Sequence, residues 1–275
     1  MGDEREDMGH RWRTWTILFL AALLLAALLW YVFGPGEDKS LSRIFESGVM
    51  RVGMDPSFPP FENLDVMAGE VRGYDVDLAQ ALAGQLGGVR PQFVIIGFDG
   101  LYDALWARKV DLLISALPVD PMLTKDVAYS TPYFNAGLRL LTLKGGSQIE
   151  NLDALTGQKL AVEWGSEGDL KGRELRQRVQ GLELVSFLSS EEALDALLRG
   201  EVDAMLVEGV AALQFAGEHE EVALFGELLT DQPYAVAIHP KDKALHRAIN
   251  QALGALRTDG TLARLEAKWF GPSPP

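Results

Sequence analysis

The chain has 275 residues, of which 48% are hydrophobic and 23% are charged, and its formal net charge is −14. A surface this acidic repels phosphate backbones, which argues against nucleic acid as a partner. Cysteine is absent, so disulfides, thiolate metal sites, a thiol nucleophile and the modified cysteine of a bacterial lipoprotein are all excluded.

The first predicted element is a long apolar segment. Residues 15–33 are 19 consecutive uncharged positions, and as a helix they span about 28 Å, close to the hydrocarbon thickness of a bilayer. Two arginines precede the segment and two acids follow it. The positive-inside rule therefore predicts a cytoplasmic N-terminus at 1–14, a transmembrane anchor at 15–33, a linker at 34–40 and an extracytoplasmic remainder. A cleaved signal peptide is the alternative, but its apolar region is usually shorter and ends in an Ala-x-Ala-like site.

From about Lys39 onward, short apolar runs alternate with segments whose apolar residues recur at helical spacing. The short runs predict strands at 50–54, 93–96, 112–115, 138–143, 160–163, 183–187, 204–207 and 234–238. The helical spacing predicts helices at 74–86, 101–107, 169–179, 191–198 and 244–256. Helices between strands indicate an α/β fold with mainly parallel sheets that are covered on both faces.

Two places in the chain are candidates for crossings between lobes. The glycine-containing segment 142–158 punctuates the middle of the chain, and a second crossing near 232–234 would return it to the first lobe. Two crossings form a hinge, which is the arrangement that lets two lobes close around a ligand.

Six short motifs, in order and spacing, resemble those of bacterial solute-binding protein family 3, the amino-acid-binding family. They are VGMDPSFPPFE at 52–62, GYDVDLA at 73–79, DLLIS at 111–115, VAYSTPYF at 127–134, GSE at 165–167 and DAMLVE at 203–208. The resemblance implies a two-lobe periplasmic-binding-protein-like fold, with lobe one at 39–141 and 234–275 and lobe two at 142–233. It also implies a small-molecule ligand and, as partner, an ABC permease in the membrane.

The resemblance places a ligand site at the ends of strands, where α/β folds bind ligands. The positions that match family ligand contacts, or neighbour them, are Asp55, Phe58, Phe98, Ser115, Ala116, Leu117, Asp120, Leu123, Trp164, Gly165, Ser166, Glu167 and Glu208.

Several of these residues have an equally good structural interpretation. Asp55 either contacts ligand or caps a turn, and Phe98 either faces the ligand or packs in the core. Phe61 is expected in the core. For Asp120 and Glu167, taken individually, the interpretation as solvated surface groups is favoured.

The family's usual carboxylate clamp is missing. In the amino-acid binders, an arginine at the position of Leu123 grips the ligand carboxylate, and a backbone N–H at the position of Pro118 commonly helps. Here an alkyl chain replaces the guanidinium, and proline has no N–H. Lys125 offers only a point charge. Glu208 matches an aspartate that binds a ligand ammonium, so we predict a cationic or neutral polar ligand.

Two other classes of function remain as alternatives. A lyase-type or lytic enzyme on the same fold is disfavoured, because the four histidines are scattered and no nucleophile, phosphate-loop or metal motif is present. We therefore expect no cofactor and no metal. A ligand sensor is the other alternative, and it would act through a membrane partner because residues 1–14 are too few for an output domain.

Overall fold

The computed structural model describes residues 38–145 and 152–271, together with Trp15 and Leu23–Leu25. Most of the predicted anchor at 15–33 lies outside the described residues, as do the predicted cytoplasmic segment and most of the linker. Within the described part of the chain, no helix combines the length and the apolar character that crossing a membrane requires.

The chain divides into two compact units, Met1–Lys39 and Ser40–Pro275, and the α/β fold is that of the second unit. Its helices among the described residues are α1 (Ser40–Ser47), α2 (Tyr74–Gln85), α3 (Leu101–Trp106), α4 (Glu167–Arg178), α5 (Ser190–Leu198), α6 (Gly209–Glu218), α7 (Lys243–Thr258) and α8 (Thr261–Phe270). Its strands are β1 (Val49–Met54), β2 (Ser57–Phe58), β3 (Glu62–Asp65), β4 (Glu70–Arg72), β5 (Arg90–Ile95), β6 (Leu112–Leu113), β7 (Ala128–Tyr129), β8 (Phe134–Asn135), β9 (Arg139–Leu143), β10 (Lys159–Glu163), β11 (Glu183–Phe187), β12 (Ala204–Val207), β13 (Val222–Phe225), β14 (Pro233–Tyr234) and β15 (Ala237–Ile238).

Two five-stranded sheets, one in each lobe, organise this unit. The strand order is β5-β1-β6-β15-β7 in lobe one and β11-β10-β12-β9-β13 in lobe two. In each sheet the first three strands are parallel, whereas the last two strands join through antiparallel ladders. The prediction of mainly parallel sheets is therefore confirmed, because four strands of each sheet run in one direction and only β15 in lobe one and β9 in lobe two are reversed. The unit is therefore an α/β fold with two sheet-centred lobes.

Amphipathic patterns explain why these elements form. In β1, the side chains of Met50, Val52 and Met54 alternate along the strand and are fully buried. In α7, buried apolar residues recur at Leu245, Ile249 and further along the same face. Both elements contribute to the lobe-one core.

The two crossings between the lobes run side by side. Strand β8 pairs antiparallel with β14, and the N–H of Ala136 donates to the carbonyl of Gln232 at 3.0 Å. The second crossing runs through β14, Pro233–Tyr234. The first comes earlier than the boundary expected at residue 141, because β9 already pairs with lobe-two strands from Arg139 onward. The single strand expected at 234–238 is divided between β14 and β15.

An aromatic cluster joins the crossing strands to lobe one, and Phe61 is its centre. The Phe61 side chain is fully buried, as expected from its surroundings in the sequence. Five rings have centroids 5.0–5.7 Å from its own, and they belong to Phe58, Tyr74, Phe134, Tyr234 and Phe270. The cluster thereby holds together the β2–β4 hairpin sheet, α2, both crossing strands and α8.

We expect Phe61→Ala to lower the free energy of unfolding by about 3–5 kcal/mol, because it opens a cavity at the centre of this cluster. Urea denaturation measures the change. The matched control is Phe45→Ala in α1, whose side chain is 52% exposed and whose loss should cost less than about 1 kcal/mol. Equal effects of the two substitutions would show that the cluster does not stabilise the fold.

Candidate functional site

A cavity of about 300 Å³ lies at the carboxyl ends of β1 and β6 in lobe one. Five of the predicted site residues meet there, namely Asp55, Phe58, Phe98, Ser115 and Ala116. The remaining lining residues, which the sequence analysis did not assign to the site, are Ser57, Glu62, Pro118 and Tyr234. Parallel strands present their carboxyl ends at one edge of a sheet, and this geometry explains the convergence.

A larger groove of about 720 Å³ lies between α1, the end of α2 and α7, but its lining contains no charged side chain. The smaller cavity brings together three aromatic rings and two carboxyl groups. Ligand sites combine apolar walls with a few converging polar groups, so the smaller cavity is the better candidate.

A hydrogen bond joins the Asp55 carboxylate to the backbone of Phe98. The N–H of Phe98 donates to Asp55 Oδ2 at 2.8 Å, so one carboxylate oxygen fixes the turn that follows β5. Both interpretations of Asp55 are therefore compatible, since the carboxylate caps a turn and still lines the cavity. The Phe98 side chain is 53% exposed, which is inconsistent with core packing.

Phe58 forms an aromatic platform at the cavity. Its ring stacks on the buried Phe61 ring with an interplanar angle of 6°, and its side chain is 43% exposed. One face is therefore supported by the core while the residue remains accessible. Such a ring can bind a cation or an apolar group of a ligand.

The Ser115 hydroxyl is committed to bonds within the protein. It accepts the N–H of Asp55 at 3.0 Å and donates to Glu62 Oε1 at 2.7 Å. The next residue, Ala116, has the left-handed φ of 43°, and its N–H donates to Asp75 Oδ2 at 2.6 Å. Ser115 and Ala116 thus shape the cavity through a backbone turn held by two buried acids.

Those two acids, Glu62 and Asp75, were missed by the sequence analysis. Both are buried, and the hydroxyl of Tyr133 also donates to Asp75 Oδ2, at 3.0 Å. Burial and then the neighbouring Asp75 charge raise the pKa of Glu62, and burial raises the pKa of Asp75. The signal in the sequence is an acid that directly follows an aromatic residue within a buried stretch, in Phe61-Glu62 and again in Tyr74-Asp75.

Three predicted residues near β6 do not line the cavity. The side chain of Leu117 is fully buried in the lobe-one core, so its expected ligand contact is corrected to core packing. Leu123 packs against the same core cluster. Asp120 Oδ1 accepts the N–H of Met122 at 2.7 Å, so its carboxylate caps a turn.

The predicted lobe-two residues lie at the carboxyl ends of β10 and β12. Ser166 Oγ accepts the N–H of Asp169 at 3.1 Å and so caps α4, and the N–H of Gly165 donates to Asp169 Oδ2 at 3.1 Å. The Trp164 side chain is 68% exposed, and Glu167 begins α4. None of these residues is part of the cavity lining in lobe one.

Glu208, in lobe two, affects the electrostatics of the lobe-one cavity. It follows β12 and is exposed, yet partial desolvation and then the charges of Glu167 and Glu163 raise the pKa of its carboxyl. Burial and then the Glu208 charge raise the pKa of Tyr234 to about 12, and Tyr234 lines the cavity in lobe one. The charge of Glu208 therefore acts on a residue of the lobe-one cavity, although no lobe-two residue is part of the described lining. Among the described residues, no group of three or more potential ligands is arranged to hold a metal.

Comparison with known proteins shows similarity to one family of binding proteins. The model of the family described as bacterial extracellular solute-binding proteins, family 3, matches residues 50–272. The L-cystine-binding protein TcyJ of Escherichia coli is 31% identical over 86% of this chain and 87% of its own length. The lysine/arginine/ornithine-binding periplasmic protein of Escherichia coli is 31% identical over 80% of this chain and 87% of its own length.

A solved structure extends the comparison to an enzyme. The crystal structure of an ancestral cyclohexadienyl dehydratase is 26% identical and has a TM-score of 0.73, covering 84% of this chain and 95% of that one. The same two-lobe fold therefore occurs in binding proteins and in an enzyme.

The Ser115 contacts predict a stability change. Ser115→Ala leaves the N–H of Asp55 and one Glu62 oxygen unpartnered, so the free energy of unfolding should fall by about 1–3 kcal/mol. The control is Ser57→Ala, because Ser57 also lines the cavity but is exposed. Urea denaturation of both variants distinguishes a buried hydrogen bond from a general effect of removing a hydroxyl, and an unchanged Ser115→Ala midpoint would contradict the assignment.

Proposed function

The chain belongs to the bacterial extracellular solute-binding proteins, family 3, and we propose that it delivers a small cationic or neutral polar, amino-acid-like solute to an ABC permease. The observation that carries this proposal is the combination at the cavity of aromatic platforms with carboxylates. Two relatives with 31% identity are binding proteins for amino acids, which supports the class of ligand.

The charges favour a cation over an anion. No basic side chain belongs to the described lining of the cavity, whereas Asp55 lines it and the charge of Glu208 raises the pKa of Tyr234, another lining residue. Pro118, which has no N–H to offer a carboxylate, is part of the lining. Opposite charge within a few ångströms favours a bound cation, and the exposed rings of Phe58 and Phe98 add attraction to it.

Closure of the two lobes would complete the site. The lining of the cavity comes from lobe one and the crossing strands, while Trp164, Glu167 and Glu208 stand at the facing strand ends of lobe two. The paired strands β8 and β14 provide two adjacent crossings about which such a rotation can occur. We propose that the ligand binds first to the lobe-one cavity and is then contacted by the lobe-two acids.

Isothermal titration calorimetry of the full chain in mild detergent tests the ligand class. L-Arginine, L-lysine and L-ornithine should bind, whereas L-glutamate and L-aspartate should not. Glu208→Gln should weaken binding of the cationic amino acids about tenfold to hundredfold, the effect of losing a charged hydrogen bond. Glu183→Gln is the control, because Glu183 is exposed at the start of β11, the end opposite to the facing edge. Strong binding of L-glutamate or L-aspartate would contradict the proposal.

We also propose that the protein binds its ligand without chemical change. The described histidines, His219, His239 and His246, are not part of the cavity lining. The carboxyl groups at the cavity are accounted for by cation binding and by the Ser115–Ala116 turn. Chromatography of the titrated ligand should return it unchanged, and conversion to a new product would support the enzyme alternative instead.

We further propose that residues 15–33 anchor the protein in the membrane with the folded unit outside the cytoplasm. The uncharged length of this segment and the arginines before it support this topology. The full chain should remain in the membrane fraction after an alkaline carbonate wash, whereas a variant without residues 1–37 should be released. A mature chain whose mass lacks the N-terminal segment would show that the segment is a cleaved signal peptide.

A further inference from the structure

A hydrogen-bonded arc lies beneath the cavity. On one side, the N–H of Asp55 donates to Ser115 Oγ at 3.0 Å, and that hydroxyl donates to Glu62 Oε1 at 2.7 Å. On the other side, the N–H of Ala116 donates to Asp75 Oδ2 at 2.6 Å. Because Ser115 and Ala116 are consecutive in the chain, a single bond between the two carboxyl groups converts this arc into a closed ring.

The two oxygens needed for that bond are the ones left over. Glu62 Oε2 and Asp75 Oδ1 are both buried and have no hydrogen-bond partner among the described residues. The two carboxyl groups lie within hydrogen-bonding reach of each other. Two ionised carboxylates offer only acceptors, but one proton between these oxygens gives each of them a partner. Buried polar atoms without a partner are rare, so the geometry calls for this proton.

The surroundings supply no positive charge that would favour two carboxylates. Among the described residues, neither acid forms an ion pair with lysine or arginine. The titratable groups that face the pair are the Asp55 carboxylate after β1 and the hydroxyls of Tyr74, Tyr133 and Tyr234, from α2, the segment before β8, and β14. All of these are neutral or negative, so a second ionised carboxylate would be strongly disfavoured.

We propose that Glu62 and Asp75 share one proton at neutral pH, and that this proton holds the Ser115–Ala116 turn and the end of β1 in the geometry of the ligand cavity. Both acids are then positioning residues, because they act on the cavity through Ser115 and the backbone of Ala116. The proton belongs to the pair and not to either residue alone. The pair carries a single negative charge, which the N–H of Ala116 and the hydroxyl of Tyr133 stabilise.

Amide substitutions test whether the Glu62–Asp75 pair holds a single proton. In Glu62→Gln, the amide nitrogen donates to Asp75 while its oxygen keeps the bond from Ser115. In Asp75→Asn, the amide nitrogen donates to Glu62, which becomes the ionised partner. In the double variant, every arrangement of the two amides leaves at least one donor without an acceptor. We expect each single variant to keep a nearly wild-type urea midpoint, and the double variant to lose at least about tenfold more in the folding equilibrium constant than the single effects combined.

A spectroscopic signature separates a shared proton from a merely structural pair. Infrared spectra of the full chain near neutral pH should contain the carbonyl stretching band of a protonated, buried carboxylic acid. The band should be absent from Glu62→Gln and from Asp75→Asn, because neither variant needs the proton. Glu70→Gln is the control, since Glu70 is exposed on β4 in the same hairpin sheet, and it should retain the band.

The pH dependence of stability provides a third readout. The pKa of Glu62 is raised in the folded state, so the folded chain holds a proton that the unfolded chain has lost above about pH 5. The contribution of the pair to stability is therefore largest in acid and decreases as the pH rises. Between about pH 7 and pH 9 the folding equilibrium constant of the wild type, relative to Glu62→Gln, should fall about tenfold per pH unit.

These measurements are made without ligand, so they are independent of which solute the protein binds. Absence of the band from the wild type, or additive effects of the two amide substitutions, would overturn the proposal. If either single variant does not fold, the presence or absence of the band in the wild type decides the question alone.

Discussion

Burial of the Phe61–Glu62 corner is the constraint on which the rest of the structure depends. Phe61 must leave water, and the apolar volume that surrounds its ring is formed by α2, the crossing strands and α8. Its neighbour Glu62 is carried into the same interior, where a carboxyl group requires hydrogen-bond partners. Ser115 supplies one of them, the proton that we propose Glu62 shares with Asp75 supplies the other, and the cavity forms above the resulting network.

The regular part of the fold was predictable from the sequence, and the parts that depend on tertiary contacts were not. The strands Glu183–Phe187 and Ala204–Val207 were predicted to the residue, and Ala204–Val207 is a continuous apolar run whose residues are all buried, as is typical of a parallel strand covered on both faces. The β2–β4 hairpin was missed because two of its three strands have polar or exposed residues and are defined by pairing alone. The first crossing was misplaced because β9 has the same apolar pattern in either lobe, and only its partners assign it to lobe two.

About half of the residues that line the cavity were predicted from the sequence, and the others depend on tertiary contacts. The resemblance located Asp55, Phe58, Phe98, Ser115 and Ala116, which stand at strand ends where neighbouring elements converge. It could not show that the Ser115 hydroxyl is hydrogen-bonded within the protein, or that the Leu117 side chain points into the core. The direction of these side chains depends on the backbone torsion angles of the segment, and Ala116, between them, has a left-handed φ that turns the chain sharply. Buried acids such as Glu62 and Asp75 are likewise missed when every charged residue in the sequence is assumed to lie at the surface.

The hinge explains how Glu208 differs from the other lobe-two acids. The N–H of Gly209 donates to the carbonyl of Ala136 at 3.0 Å, so the start of α6 is bonded directly to the first crossing. A Cβ atom on Gly209 would lie 2.7 Å from the carbonyl oxygen of Gly137, so only glycine permits this approach. Residues bonded to a hinge move least when lobes rotate, whereas residues farther from the axis move more. In the closure that we propose, Glu208 therefore stays near Tyr234, while Trp164 and Glu167 approach the lobe-one cavity as the lobes rotate.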